Sequence, residues 1–500
     1  MEENTNRAIA YNSAILYGKM AITTICALLT TRFSLRALGV VDFGLYSVVG
    51  GIISLIAIFN TIMLSTSNRF IAIAIGKGDI LEVNKQFNVN LVVHVAIAFV
   101  AVLVAIPFGE WYIPRYVSYD GLLLDALWVY RISVIGSIVS FVGVPYNGLL
   151  MAKEKFIVFS LVDIVVCVVK LVVACLLVYC FKYKLLVYAV TMSVLTAVPT
   201  FVYHFYCTRH YRDMVRLCFV RDKKMYKSVF GFSALVSIGA VADVAKTQGA
   251  ALIINTFFST VMNTALGIAT SVNNYIGLFA KGVVQPIQPQ ITKSYAIGDT
   301  NRTDELLVMS TKYSYLLTLM VGSVFLVAPN WILSLWLGNV PQYATTFLVL
   351  LVIDQLVQSL NSGISNLIWA SGRIGLYQVL TSILNMLSLV VGYFVLRRGV
   401  AAYCLVVVYI CFSVIRFFAI QWALYRTMHY DNRELWKKSY VPSLVVSVLF
   451  SGVFLLPDVF PSAIKLLISF IYLLLLVWFV GLNHTERCRL LSFVQERIKK

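Results

Sequence analysis

Six basic residues lie well inside long apolar runs of this chain: Lys19, Arg131, Lys170, Lys246, Lys281 and Arg416. A Lys or Arg at the centre of a bilayer costs roughly 2.5–3.5 kcal/mol on insertion scales, so such groups must face protein or a wetted cavity. Three acids share that depth, Asp163, Asp243 and Asp354. Asp243 and Lys246 are three residues apart on one helix face, and Asp163 and Lys170 are two turns apart, so both spacings allow local ion pairs. Lys19, Arg131, Lys281 and Arg416 have no such neighbour, and the interior inventory stays positive. A cationic interior lowers the cost of bringing phosphate or pyrophosphate into low dielectric and raises it for a cationic solute. Amides at similar depth could bind sugar hydroxyls or tie helices together: Asn255, Asn263, Asn273, Asn274, Gln285, Gln288, Gln290, Gln355, Gln358, Asn361 and Asn366.

The elements that must hold these groups are membrane helices. The chain is 60% hydrophobic and 12% charged over 500 residues, about half the charge of a soluble protein. Apolar runs recur at 11–32, 44–66, 87–108, 125–151, 156–181, 184–207, 229–256, 264–291, 310–336, 343–370, 374–396, 400–426, 438–457 and 462–482. The expectation is an all-α polytopic membrane protein of about fourteen spans, each long enough for about 30 Å of hydrocarbon. With the N-terminus cytoplasmic, the loops on that side carry about three times as many Lys and Arg as the others, which predicts both termini on the cytoplasmic side. This topology accounts for the net charge of +18, so nucleic acid is not expected as a partner. The polar start Met1-Glu2-Glu3-Asn4 lacks a basic n-region, so no cleavable signal is expected.

The connection 208–228 carries Arg209, Arg212, Arg216, Arg221, Lys223, Lys224 and Lys227 and divides the chain into comparable halves. It reads as a basic linker on anionic lipid, with recruitment of a partner enzyme as the alternative. The domain reading is 1–207 for an N-terminal lobe of six spans, 208–228 for the linker, 229–426 for a C-terminal lobe of six, and 427–500 for two additional spans and a tail. Gly78-Asp79 and Gly298-Asp299, each closing a helical hairpin, suggest an internal repeat, as in many transporters. Pro145, Pro199, Pro286 and Pro289 are expected to bend their helices.

Enzyme chemistry has no foothold. There is no Walker A motif, the histidines His94, His204, His210, His429 and His484 are scattered, and the nine cysteines form no CxxC. No cofactor is expected beyond a coupling H+ or Na+.

Three blocks of sequence resemble a known family. They are Leu38-Gly39-Val40-Val41-Asp42-Phe43-Gly44-Leu45-Tyr46 with Asn68-Arg69-Phe70 and Gly76-Lys77-Gly78-Asp79; Pro145-Tyr146-Asn147 with Ala152-Lys153-Glu154-Lys155 and Lys170-Leu171; and Asn255-Thr256-Phe257-Phe258 with Asn263, Gly267-Ile268-Ala269 and Pro289-Gln290-Ile291-Thr292-Lys293-Ser294-Tyr295-Ala296. Together they resemble bacterial O-antigen (Wzx-like) polysaccharide flippases of the multidrug/oligosaccharidyl-lipid/polysaccharide (MOP) exporter superfamily. The resemblance implies two six-helix lobes around a central cavity plus two C-terminal helices. It implies translocation of an undecaprenyl-pyrophosphate-linked oligosaccharide across the bacterial cytoplasmic (inner) membrane, for surface polysaccharide such as O-antigen or capsule, beside other polysaccharide assembly proteins. On this reading the six intramembrane bases attract pyrophosphate, and Arg32, Arg36 and Arg69 near span ends gate or guide it. Asp163, Asp243 or Asp354 could couple transport to an ion, Asp354 foremost for want of a local base. A cation-coupled multidrug (MATE-type) exporter, a lipid II flippase and a non-transporting scaffold for glycan assembly enzymes are the rival readings.

Overall fold

The computed structural model describes residues 2–116, 123–180, 183–258, 260–337, 340–455, 461–484 and 486–488. The tail residues Arg489, Arg497, Lys499 and Lys500, and the side chains of Asn255 and Asn263, lie outside what it describes. The described chain is helical, without strands. The helices are α1 (Glu2–Gly76), α2 (Ile80–Tyr116), α3 (Leu123–Ala152), α4 (Phe156–Cys180), α5 (Lys184–His210), α6 (Arg212–Val215) and α7 (Lys223–Phe257). They continue as α8 (Thr260–Ala296), α9 (Thr300–Val327), α10 (Pro329–Leu337), α11 (Ala344–Ser359), α12 (Ser362–Ser371), α13 (Gly375–Arg397) and α14 (Cys404–Met428). Last come α15 (Arg433–Leu435), a π-helical turn (Trp436–Tyr440), α16 (Val441–Phe450) and α17 (Ser462–Leu476).

Eleven helices among the described residues are long and apolar enough to cross a membrane, and α11 with α12, bent by 44° at a break, makes a twelfth. The expected spans 44–66 and 264–291 are helical too, in the second part of α1 and in α8. The expected fourteen is therefore roughly compatible with the twelve. Lipid-facing character is plain on α4, where Leu161, Val165, Val168, Val172 and Leu176 all point outward. Such a stripe would be untenable in water and is ordinary against hydrocarbon, where helices satisfy their own backbone.

The chain forms two compact units, one of Ala10–Ser237 and one of Met1–Ile9 with Ile238–Lys500. The boundary falls within α7. In the first unit α3 and α5 pack most extensively. The cause is a spacing of seven residues on both partners. A methyl group added at Gly136 would come within 2.6 Å of Ser193, and one at Gly143 within 2.4 Å of Thr200. Small residues at this spacing let two helices approach closely without a water-driven core. Behind this contact Val129, Tyr130, Val134 and Phe141 of α3 pack with Leu45 and Val49 of α1 and Ala98 and Ala105 of α2. In the second unit Ile254, Ala265, Ala269, Phe347, Leu348, Val352, Leu405 and Val406 join α7, α8, α11 and α14.

The expected repeat has a structural counterpart. Gly78 and Gly298 both adopt positive φ, 75° and 77°. The carboxylate after each caps the next helix. Asp79 accepts from the Leu81 and Glu82 amides at 2.9 and 3.1 Å, and Asp299 from the Arg302 amide at 3.0 Å. The helices before these turns end at Gly76 and Ala296, and those after begin at Ile80 and Thr300. Later elements keep the correspondence: α4 and α5 begin at Phe156 and Lys184, α13 and α14 at Gly375 and Cys404. The expected proline bends do not interrupt the elements, since α3, α5 and α8 each continue past their prolines.

Candidate functional site

The charged groups at membrane depth fall into two sets, one per unit. In the first unit, Lys19 of α1 forms a salt bridge with Asp163 of α4. Its ammonium also lies 3.6 Å above the Phe159 ring. The Cys167 thiol donates to the Thr23 carbonyl at 3.5 Å, tying the same two helices. The residue that meets Asp163 is thus Lys19, far away in sequence, and not Lys170 on its own helix. Lys170 lies within electrostatic reach of Asp163 and Cys167 without bonding either. Arg131 of α3 binds Glu110 of α2 at 2.6 Å, and its guanidinium sits 5.1 Å from the centre of the Trp128 ring.

Glu110 escapes a sequence reading that ends the third span at 108, because α2 continues to Tyr116. With it, four acids rather than three stand against the six bases. The usable signal was hairpin spacing: Glu110 and Arg131 lie on successive helices, near their facing ends.

Arg32 and Arg36 are exposed on α1. Arg69, towards its end, is held between two aromatic rings, 4.8 Å from the centre of Phe70 and 4.7 Å from that of Phe232. The guanidinium face suits such stacking. Nearby, Ser233 and Thr66 hydroxyls are 3.1 Å apart, so the start of α7 is fixed on the end of α1 within this unit.

The second unit gathers its charges differently. Asp243 and Lys246 lie on α7, Asn385 on α13, Tyr409, Ser413 and Arg416 on α14, and Asp354 and Gln358 on α11. The Asn385 amide donates to Asp243 at 2.6 Å, and its carbonyl oxygen accepts from Arg416 at 3.4 Å. Asn385 thus bridges an acid and a base that do not touch. Lys246, Lys281 and Arg416 all lie within electrostatic reach of Asp243. The Lys246 ammonium sits 4.5 Å above the Tyr409 ring, and the Tyr409 hydroxyl donates to the Lys246 carbonyl at 3.4 Å. Asp354 is buried, only 3% exposed. It accepts from the Ser413 hydroxyl and from Gln358 at 2.7 Å, with Lys246 also within electrostatic reach. Shortly after Gln358 the helix breaks, and both amide atoms of Asn361 are buried without a partner.

Among the described residues, Lys170, Lys246, Lys281 and Arg416 form no direct salt bridge. Lys246 and Arg416 are met instead by the Tyr409 ring and the Asn385 carbonyl oxygen, and Lys281 is exposed. No group of three or more His, Cys, Asp or Glu among the described residues could hold a metal ion.

One base at the edge of an apolar run is more deeply held than its position in the sequence suggests. Lys312 has no exposed surface and binds Glu486 at 2.7 Å. Because α9 begins at Thr300, Lys312 is already three turns into a helix, covered by the C-terminal segment.

No family model and no curated protein matches the sequence. Solved structures do match its fold. A point mutant of a MATE protein superposes with a TM-score of 0.75 at 12% identity, over 84% of this chain and 95% of that one. A multidrug resistance MATE family transporter of the MOP superfamily, in an outward-facing conformation, gives 0.74 at 12% identity over the same shares. A MOP superfamily transporter from Pyrococcus furiosus, described as having a binding pocket of reverse polarity that suggests a different function, gives 0.71 at 14% identity, again over 84% and 95%. This multi-pass chain therefore has the fold of the MATE transporters of the MOP superfamily.

Proposed function

We propose that this protein is a membrane transporter that flips an undecaprenyl-pyrophosphate-linked oligosaccharide from the cytoplasmic to the outer leaflet of a bacterial inner membrane, by alternating access. The carrying observation is the set of four intramembrane bases without a direct salt bridge, Lys170, Lys246, Lys281 and Arg416. A cation without a carboxylate at this depth must reach water, a neutral acceptor or an anion, and a pyrophosphate carries the matching charge. In this reading Lys246, Lys281 and Arg416 bind the diphosphate, and Lys170 adds a further attracting charge in its own unit. Lys19 and Arg131, already held by carboxylates, position α1 and α3. Arg32, Arg36 and Arg69 guide the headgroup. Asp163, Asp243 or Asp354 couples movement to H+ or Na+, Asp354 being the most enclosed. Both termini are cytoplasmic, and other polysaccharide assembly proteins are the expected partners.

Deleting the gene tests the reading in a strain without a redundant flippase. Surface polysaccharide should be lost and its lipid-linked unit should accumulate on the cytoplasmic face. Normal surface polysaccharide would sink the proposal. Accumulation of lipid II instead would keep the chemistry and change the substrate.

One observation favours a second reading, a cation-coupled drug exporter: a superposing structure is described as a multidrug resistance MATE family transporter. That reading predicts efflux of a lipophilic cation such as ethidium from vesicles. The bases left without a salt bridge argue against it.

A further inference from the structure

The turn from α14 into α16 holds a shallow cleft of about 470 Å³, lined by Asp431, Asn432, Arg433, Trp436, Lys437 and Val441. It belongs to none of the charge clusters described above. Its floor is rigid. The Trp436 ring meets Phe417 and Tyr440 edge to face, with centroids 5.9 and 5.0 Å apart. Asn432 donates to Gln421 at 2.6 Å, and Gln421 to the Tyr440 hydroxyl at 2.6 Å. The π-helical turn Trp436–Tyr440 adds a residue to the helix here, a device that recurs at binding sites.

Two features define what would fit. The first is charge: Arg433 and Lys437 outnumber Asp431, and both side chains are exposed. Arg433 is 92% exposed and meets Asp431 at 3.9 Å. Lys438 next to them is already bound by Glu434 at 2.6 Å. The second is level. The cleft joins two helices that are each apolar enough to cross a membrane, Cys404–Met428 and Arg433–Leu455, so it opens where headgroups lie, the depth an indole ring favours. From it Val441, Leu444, Val445 and Val448 run outward along α16, all exposed.

We propose that this cleft binds the headgroup of an anionic phospholipid such as phosphatidylglycerol. The phosphate sits between Arg433 and Lys437, and the acyl chains follow Val441, Leu444 and Val448 along α16. The lipid would staple the turn between α14 and α16 to the bilayer surface.

The test uses the full chain purified in detergent, incubated with equal amounts of phosphatidylglycerol and phosphatidylcholine, and native mass spectrometry to count retained lipid. The wild type should retain phosphatidylglycerol preferentially. Arg433→Gln with Lys437→Gln should lower that retention by about tenfold or more. Arg397→Gln with Arg398→Gln, exposed bases at the end of α13, should leave it unchanged. The proposal is overturned by equal retention of the two lipids, by wild-type retention in the Arg433/Lys437 variant, or by the same loss in the Arg397/Arg398 variant. Displacement of the lipid by millimolar glycerol phosphate would assign the cleft to a soluble phosphate and overturn the lipid.

Discussion

The two units solve one problem in opposite ways. Each carries three bases at membrane depth. In the first, Lys19 and Arg131 are joined to Asp163 and Glu110 between helices. In the second, Lys246, Lys281 and Arg416 lie within electrostatic reach of Asp243, which takes its hydrogen bond from the neutral Asn385. The elements are related by the repeat: the opening part of α1 and α4 in one unit match α7 and α13 in the other. A lysine–aspartate bond in the first becomes an aspartate–asparagine bond in the second. The second arrangement joins its two helices without a contact between opposite charges. A direct pair between helices holds geometry by cancelling two charges, while an amide bridge holds geometry through hydrogen bonds and leaves the charges apart.

The largest effect expected concerns a pair outside the amide bridge. Lys312→Met should cost about 4 kcal/mol, because Glu486 is left buried without its cation. Thermal unfolding in detergent reads this, and Lys312→Met with Glu486→Leu should recover most of it. A single variant as stable as wild type would show that the C-terminal segment is not latched at α9. Next, Lys246→Gln with Arg416→Gln should cut transport by about a hundredfold, as expected for losing two charged hydrogen bonds to an anion, with protein levels in the membrane unchanged. Lys19→Gln at matched protein levels should cut it far less. Equal losses would erase the contrast between the units.

A smaller effect separates the first unit's role. Lys19→Met should destabilise by about 2 kcal/mol, reduced from the buried-pair range because Asp163 is partly exposed. Lys19→Met with Asp163→Leu should be close to neutral in a double-mutant cycle. Additive losses would mean that the pair does not act as a unit. The smallest change tests the repeat itself. Gly78→Ala and Gly298→Ala should each cost about 1 kcal/mol for a positive φ, and the two melting shifts should agree. A large difference would show that the two turns are not equivalent.

Much of this architecture is legible in the residues. The apolar runs place the helices, Gly78-Asp79 and Gly298-Asp299 announce matching hairpins, and the six bases stand out because hydrocarbon should exclude them. What is not legible is which acid meets which base. Asp163 takes Lys19 over the lysine seven residues along its own helix, because that choice depends on how helices rotate against each other. Glu110 and Lys312 are hard to place for one reason: helices outlast the apolar runs that reveal them, so a charge at the edge of a run reads as loop. Residues 264–291 show the converse, a helix whose polar content weakens the membrane signal.

The kink in α1 has a consequence for chemical synthesis. Gly39 has φ 77° and ψ 177°, and an added Cβ would meet no atom within 4 Å. Asparagine can occupy the left-handed region of Gly78 and Gly298, but φ and ψ like those of Gly39 are essentially reserved for glycine. Inverted through a mirror, the same angles are ordinary extended backbone. A D-alanine installed at position 39 by semisynthesis would therefore fit the bend without strain and narrow the unfolded ensemble, whereas its L-enantiomer would oppose the bend: one methyl group, with opposite effects set by handedness alone.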